Sequence, residues 1–199
     1  METTEKNMGH EESLRLIERT IASARNKFAD DGFHFLLWGV LVILASLACY
    51  WLAMINYEKN YLPWLIMPAI GAPLAIIYEI RKSKTASVRT SLDTYYHAVW
   101  MGFGVTLFAV IFFSVRHNLS PISFILAVTG LATFVSGRIF RFGPLTCGGF
   151  VFWIAAFIAT FIDEGSQLLL NAGATLLGYI IPGTMLWKKA KEERHVSAP

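Results

Sequence analysis

The stretch Trp64–Lys82, WLIMPAIGAPLAIIYEIRK, sets two prolines and a glycine inside an apolar run and closes it with a glutamate followed by basic residues. A helix that crosses a membrane needs about 20 apolar residues, and positions 62–80 supply a run of that length. Proline inside a helix removes one hydrogen bond and strains the turn before it. A membrane helix tolerates this where neighbours or water re-satisfy the freed carbonyl. Pro68, Gly71 and Pro73 therefore mark either a broken helix that shapes a binding site or a simple kink in a bundle.

Outward from this stretch, runs of the same kind lie at about 33–56, 95–115, 121–139, 144–162 and 167–187. The 199 residues are 55% hydrophobic and 16% charged, whereas soluble domains carry roughly 25% charged residues. Mean hydropathy is +0.50. The fold class that follows is all-α: a polytopic bundle of six transmembrane helices. A cytoplasmic amphipathic arm covers 1–32, the membrane domain 33–187 and a basic cytoplasmic tail 188–199. No small-residue cleavage site precedes the first run, so it is expected to serve as its own uncleaved insertion signal.

Orientation follows the Lys/Arg bias of the short connections. With a cytoplasmic N-terminus, the inner segments hold Lys6, Arg15, Arg19, Arg25 and Lys27, then Arg81, Lys82, Lys84 and Arg89, then Arg138 and Arg141, then Lys188, Lys189, Lys191 and Arg194. Only Lys59 and Arg116 fall outside. Both termini are thus expected in the cytoplasm of a bacterial cell, the chain crossing the inner membrane. Trp38, Trp100 and Trp187 near the inner ends, and Trp51 and Trp64 near the outer, suit the headgroup preference of that ring. Trp153 lies deep in the fifth run and is expected to pack inside the bundle.

The odd-numbered runs open alike, with FHFLLWGV, YYHAVWMGFG and CGGFVFWIA, and 66–82 rhymes with 125–141, placing Gly71 over Gly130 and Glu79 over Arg138. Three repeated helical hairpins would explain this. Interfacial aromatics and small residues common to membrane helices explain it equally well. Thr129, Thr133 and Gly137, Ala45, Cys49 and Ala53, and Ala174 and Gly178 form small-residue stripes that let helices approach closely. These are read as holding the monomer together, with a homo-oligomer left open.

Pro182-Gly183 interrupts the sixth run as Pro68, Gly71 and Pro73 interrupt the second, and paired interruptions point to transporter sites. Charged residues in the hydrocarbon are costly and usually functional, yet the deep interior offers only Asn171, Thr175, Thr106, Thr129 and Thr133. No acidic relay of a proton-driven pump crosses it. Near the inner ends, Glu79, Tyr96, His97, Arg138, Arg141, Asp93 and His34 lie at similar depth. They form either a vestibule, with Glu79 pairing Arg138, or helix-end charges snorkelling to headgroups. Candidate ligand-binding residues are Glu79, His97, Arg138, Asn171 and Tyr179; Arg138 and Arg141 are candidates for lipid phosphates.

The arm HEESLRLIERTIASARNKF places Leu14, Ile17, Ile21, Ala24 and Phe28 on one helical face. Residues 11–28 are expected to lie on the membrane or to dock a cytoplasmic protein. The arm is as acidic as it is basic, which speaks against nucleic acid. Cys49 and Cys147 stand alone, with no disulfide framework or metal cluster around them, and no cofactor is implied. Gly-x-Ser-x-Gly, His-Glu-x-x-His and P-loop patterns are absent from the sequence. Asp93 and His97, four apart on one helix face, are the one pair on which a lipid-acting enzyme would rest.

With GFHFLLWG, FGPLTCGGFVFW and GYIIPGTMLWKKAK in view, the chain resembles a group of small six-span membrane proteins of Bacteroidota. The resemblance covers all six runs and implies the bundle, with no established activity to carry over. The function expected from the residues is a non-enzymatic membrane scaffold or regulatory protein that engages a cytoplasmic partner or anionic lipid. The alternative is a small-solute transporter or channel with a site between the second and sixth spans.

Overall fold

The computed structural model describes residues 32–83 and 91–197. The arm over 11–28 and the basic segment 84–90 lie outside the described residues. Within them every regular element is helical: α1 Gly32–Met54, α2 Leu62–Ser83, α3 Ser91–His117, α4 Ile122–Ile139, α5 Gly143–Ala159, and α6 Glu164–Thr175, which runs through a π-helical turn, Leu176–Ile180, into α7 Ile181–Ser197. Among the described residues, five stretches are long and apolar enough to cross a membrane: Gly32–Met54, Leu62–Arg81, Thr94–His117, Ile122–Ile139 and Glu164–Lys189. The apolar α5 has 17 residues, about 25 Å at ~1.5 Å per residue, against a hydrocarbon core of ~30 Å.

The helix ends explain where the expected boundaries shift. Asn56, Asn118 and Arg141 adopt left-handed backbone, at φ 54°, 53° and 51°. After each, the next amide reaches back over the helix end: Tyr57 to the Leu52 carbonyl at 3.0 Å, Leu119 to Ser114 at 2.9 Å and Phe142 to Gly137 at 2.9 Å. Carbonyls left over by the last turn are satisfied this way, so α1 ends at Met54 rather than at 56. The fifth run, expected to reach 162, stops at Ala159, where the Thr160 hydroxyl donates to the Phe157 carbonyl at 2.7 Å. Asp163 then caps α6, accepting from the Ser166 amide at 2.9 Å and the Ser166 hydroxyl at 2.7 Å. The sixth run accordingly begins at 164, not 167.

The core is built from α1, α4, α5 and the α6–π–α7 rod, while α2 leans on α1 and α3 leans mainly on α4. Only 6% of the apolar stretch of α2 and of α3 is buried, against 39% in α4 and 44% in the α6–α7 rod. The most extensive pair is α4 with α5. A Cβ on Gly137 would meet the Thr146 amide nitrogen at 2.4 Å, and one on Gly149 would meet Cβ of Phe134 at 2.7 Å. Small residues bring two backbones together here because dispersion, with no hydrophobic drive in lipid, must hold the helices. Thr129, Thr133 and Gly137 all lie buried in this region, as do Ala45 and Cys49 on α1 and Ala174 and Gly178 on the rod. Trp153 packs inward as its depth implied, its indole donating to the Ala127 carbonyl at 3.1 Å.

The interrupted stretch that opened the sequence reading is one continuous helix with Pro68 and Pro73 inside it. Both prolines are exposed, and Gly71 alone faces inward, against Leu41 and Trp38 of α1.

Candidate functional site

The sequence-predicted site residues fall into three separate places. At the end of the bundle where α1 begins and α2 finishes, His34 Nε2 lies 2.8 Å from Glu79 Oε1. Phe33 stacks on Tyr78 at 4.0 Å, and the His34 ring meets Tyr78 edge-on at 5.6 Å. Glu79 therefore bonds His34 rather than Arg138, its expected partner. The reason is topology: α2 packs on α1 and Arg138 belongs to α4, across the core.

Arg138 and Arg141 are exposed at the same end, with Lys188 and Lys189. Lys189 Nζ sits 6.0 Å from the centroid of the Phe142 ring, within the range of a cation–π attraction. The interior beneath them is filled by rings. Phe35 packs edge-on to Trp100 at 6.0 Å, Phe140 at 6.5 Å and Tyr179 at 5.4 Å, and Tyr96 lies 5.1 Å from Phe140. His97 points outward from this plug, exposed beside Tyr96.

The deep polar groups pair with one another. Asn171 donates to the Ser46 hydroxyl at 2.9 Å, joining α6 to α1. Tyr179, buried on the rod, packs edge-on to Phe35 and Phe152, and Thr133, buried on α4, donates to the Thr129 carbonyl at 2.7 Å. Pairing of this kind offsets the cost of placing polar atoms in hydrocarbon. Glu79, Asn171 and Tyr179 are thus not brought to one place.

Nor do the two interruptions face each other. Gly71 of α2 touches α1 from one side, whereas Gly183 of α7 lies 3.2 Å, measured from a Cβ, from Phe35 of α1 on another. Pro182 is wholly buried. The π turn is the backbone's answer to it. The Ile181 amide bonds the Leu176 carbonyl, five residues back, and Pro182 brings no amide hydrogen to the next rung. The Gly178 carbonyl points at Gly148 of α5, 2.5 Å from where a Cβ would stand.

Three features escaped the sequence reading. Ser46 resembles any small residue in a membrane helix until Asn171 arrives opposite it. Gln167 is buried at the other end of the bundle, donating to the carbonyls of Ala159 at 2.9 Å and Ile162 at 3.2 Å and accepting from the Ser120 hydroxyl. The signal that could have found it is the cap Asp163-x-x-Ser166, which fixes the helix start and so turns Gln167 inward. The same cap holds the Asp163 carboxyl below its ordinary range, because the Ser166 amide and hydroxyl both donate to the ionised form. The third feature is Ser114, buried on α3 with no partner for its hydroxyl among the described residues.

Among the described residues no three His, Cys, Asp or Glu side chains gather as a metal site, and Cys49 and Cys147 are free thiols. No known protein family, curated protein or solved structure matches the chain.

Proposed function

We propose that this helical membrane protein is a six-span, non-enzymatic scaffold or regulatory protein of the bacterial inner membrane. Both termini face the cytoplasm, and the basic end of the bundle engages anionic lipid while the arm over 11–28 docks a cytoplasmic protein. The observation that carries this reading is the division of polar groups. Asn171 donates to Ser46, and Thr133 and Ser136 donate to carbonyls of their own helix, all inside the bundle. Arg138, Arg141, Lys188 and Lys189 stand exposed at one end, where each basic group near an anionic leaflet contributes about 1 kcal/mol. Arg141 keeps a left-handed backbone there, a conformation an L side chain resists.

The test is reconstitution of the full chain in nanodiscs of phosphatidylglycerol or of phosphatidylcholine, followed by affinity capture of cytoplasmic proteins with and without residues 1–28. Partner recovery lost with the arm and retained with the bundle intact supports the scaffold. Equal recovery from both forms removes the docking role.

The transporter reading draws its support from one observation, the π turn beside Pro182, because such turns often sit at functional sites. Solute flux that survives deletion of the arm would favour it over the scaffold.

A further inference from the structure

Cations from two elements meet where α4 turns into α5. Arg138 stands in the last turn of α4, and the Arg141 amide bonds the Arg138 carbonyl at 3.3 Å, so the closing turn keeps the two residues together. One residue further on, the Phe142 ring carries Lys189 of α7, whose Nζ lies 6.0 Å from its centroid. What holds α7 here is burial: Leu186, one turn before Lys189, packs in the same core as Phe140, Phe142 and Leu145. Lys188 stands beside Lys189, and all four cations are exposed.

The chain does not neutralise them. Among the described residues none of the four forms an ion pair, and Glu79 is engaged with His34, where α2 meets α1. The first turn of α5 contributes no acidic residue and no side-chain cap. Beside it the surface is open, since a Cβ on Gly143 would meet nothing within 4 Å. Like charges gathered on one turn repel, and an anion among them removes that cost. Arginine takes a phosphate through its planar fork and lysine as a point charge. On the hydrocarbon side, Phe150 of α5 and Ile181 and Met185 of α7 are exposed apolar side chains.

Four cations on two elements exceed what a lipid with one phosphate balances. We propose that this corner binds a single lipid bearing two phosphates, of the cardiolipin class. One phosphate lies at Arg138 and Arg141, the other at Lys188 and Lys189, and the acyl chains follow the apolar side chains of α5 and α7. Basic pockets between membrane helices at the cytoplasmic side suit such headgroups. The proposal rests on the reading above that this end meets an anionic leaflet, and it adds which lipid the end selects.

The test is native mass spectrometry of the full chain in mild detergent, titrated with cardiolipin, phosphatidylglycerol or phosphatidylcholine. The expected result is one retained cardiolipin, held about thirtyfold more tightly than phosphatidylglycerol, the factor that two further basic groups supply. Monolysocardiolipin, with both phosphates and one acyl chain fewer, should bind like cardiolipin. Arg138→Gln with Arg141→Gln, or Lys188→Gln with Lys189→Gln, should each bring cardiolipin down to the level of phosphatidylglycerol on the parent. Lys59→Gln with Arg116→Gln, at the opposite end, should leave retention unchanged. Equal retention of cardiolipin and phosphatidylglycerol, both above phosphatidylcholine, would overturn the two-phosphate site and leave the anionic-lipid reading standing. No preference over phosphatidylcholine would overturn both. Monolysocardiolipin falling to the level of phosphatidylglycerol, or an equal loss in the Lys59 and Arg116 variant, would also overturn the site. The substituted side chains are exposed, so the variants retain the fold, and thermal unfolding verifies this.

Discussion

Arg141 holds a backbone conformation that costs an L residue about 1–2 kcal/mol relative to the right-handed region, and it does so at an exposed turn. Arg141→Gly should therefore raise the stability of the detergent-solubilised protein by about 1 kcal/mol, read as a higher unfolding midpoint. If the arginine serves the membrane surface, the same variant should bind phosphatidylglycerol vesicles less well. Inside the bundle the balance runs the other way. Removing the acceptor of Asn171 by Ser46→Ala should destabilise by about 0.5–1.7 kcal/mol, the span found for hydrogen bonds between membrane helices. A double-mutant cycle with Asn171→Leu should show that the two changes do not add. Asn171 and Tyr179 were legible in the sequence because polar atoms in hydrocarbon demand an explanation. Their partners were not, since periodicity states that a residue faces inward and leaves unstated which helix it meets.

At the scale of the element, two glycines with the same sequence signature differ in what surrounds them. Gly137→Ala would drive a methyl to within 2.4 Å of the Thr146 amide nitrogen, and no flexible side chain can yield there. Separation of α4 from α5 should cost about 2 kcal/mol or more, in line with overpacked cores. Gly102→Ala on α3 meets nothing within 4 Å and should stabilise by up to about 1 kcal/mol through helix propensity. Parallel thermal melts of the two variants check the contrast. The all-helical, apolar character of the runs was readable, and five stretches among the described residues reach spanning length; their ends were not, because the Asp163 cap and the left-handed turn at Asn56 set them. The π turn was not, because Pro182 announces an interruption without saying how the backbone will resolve it. On α2 the prolines face outward. Single cysteines from Leu65 to Tyr78, in a Cys49→Ala, Cys147→Ala background, should accordingly resist a membrane-impermeant thiol reagent except near the ends. Labelling along a deep helical face would instead require water beside α2.

For the molecule as a whole, one titrating cap and one long connection set its behaviour. The Asp163 carboxyl titrates below its ordinary range in the fold, so its contribution is complete above the unfolded value and disappears as pH falls through the folded one. Acid should lower the unfolding midpoint more in the parent than in Asp163→Asn, which keeps an acceptor for Ser166 but cannot titrate. The bond between Ser46 and Asn171 spans 125 positions of chain, and α1 packs chiefly against α6, which is made last but one. During synthesis the first helix must therefore remain in the bilayer with Ser46 and Gly39 facing lipid until the sixth has left the ribosome. Assembly is late, depends on a distant contact and exposes unsatisfied helix faces meanwhile. A nascent chain that ends before Asn171 lacks the donor that Ser46 accepts from in the complete fold.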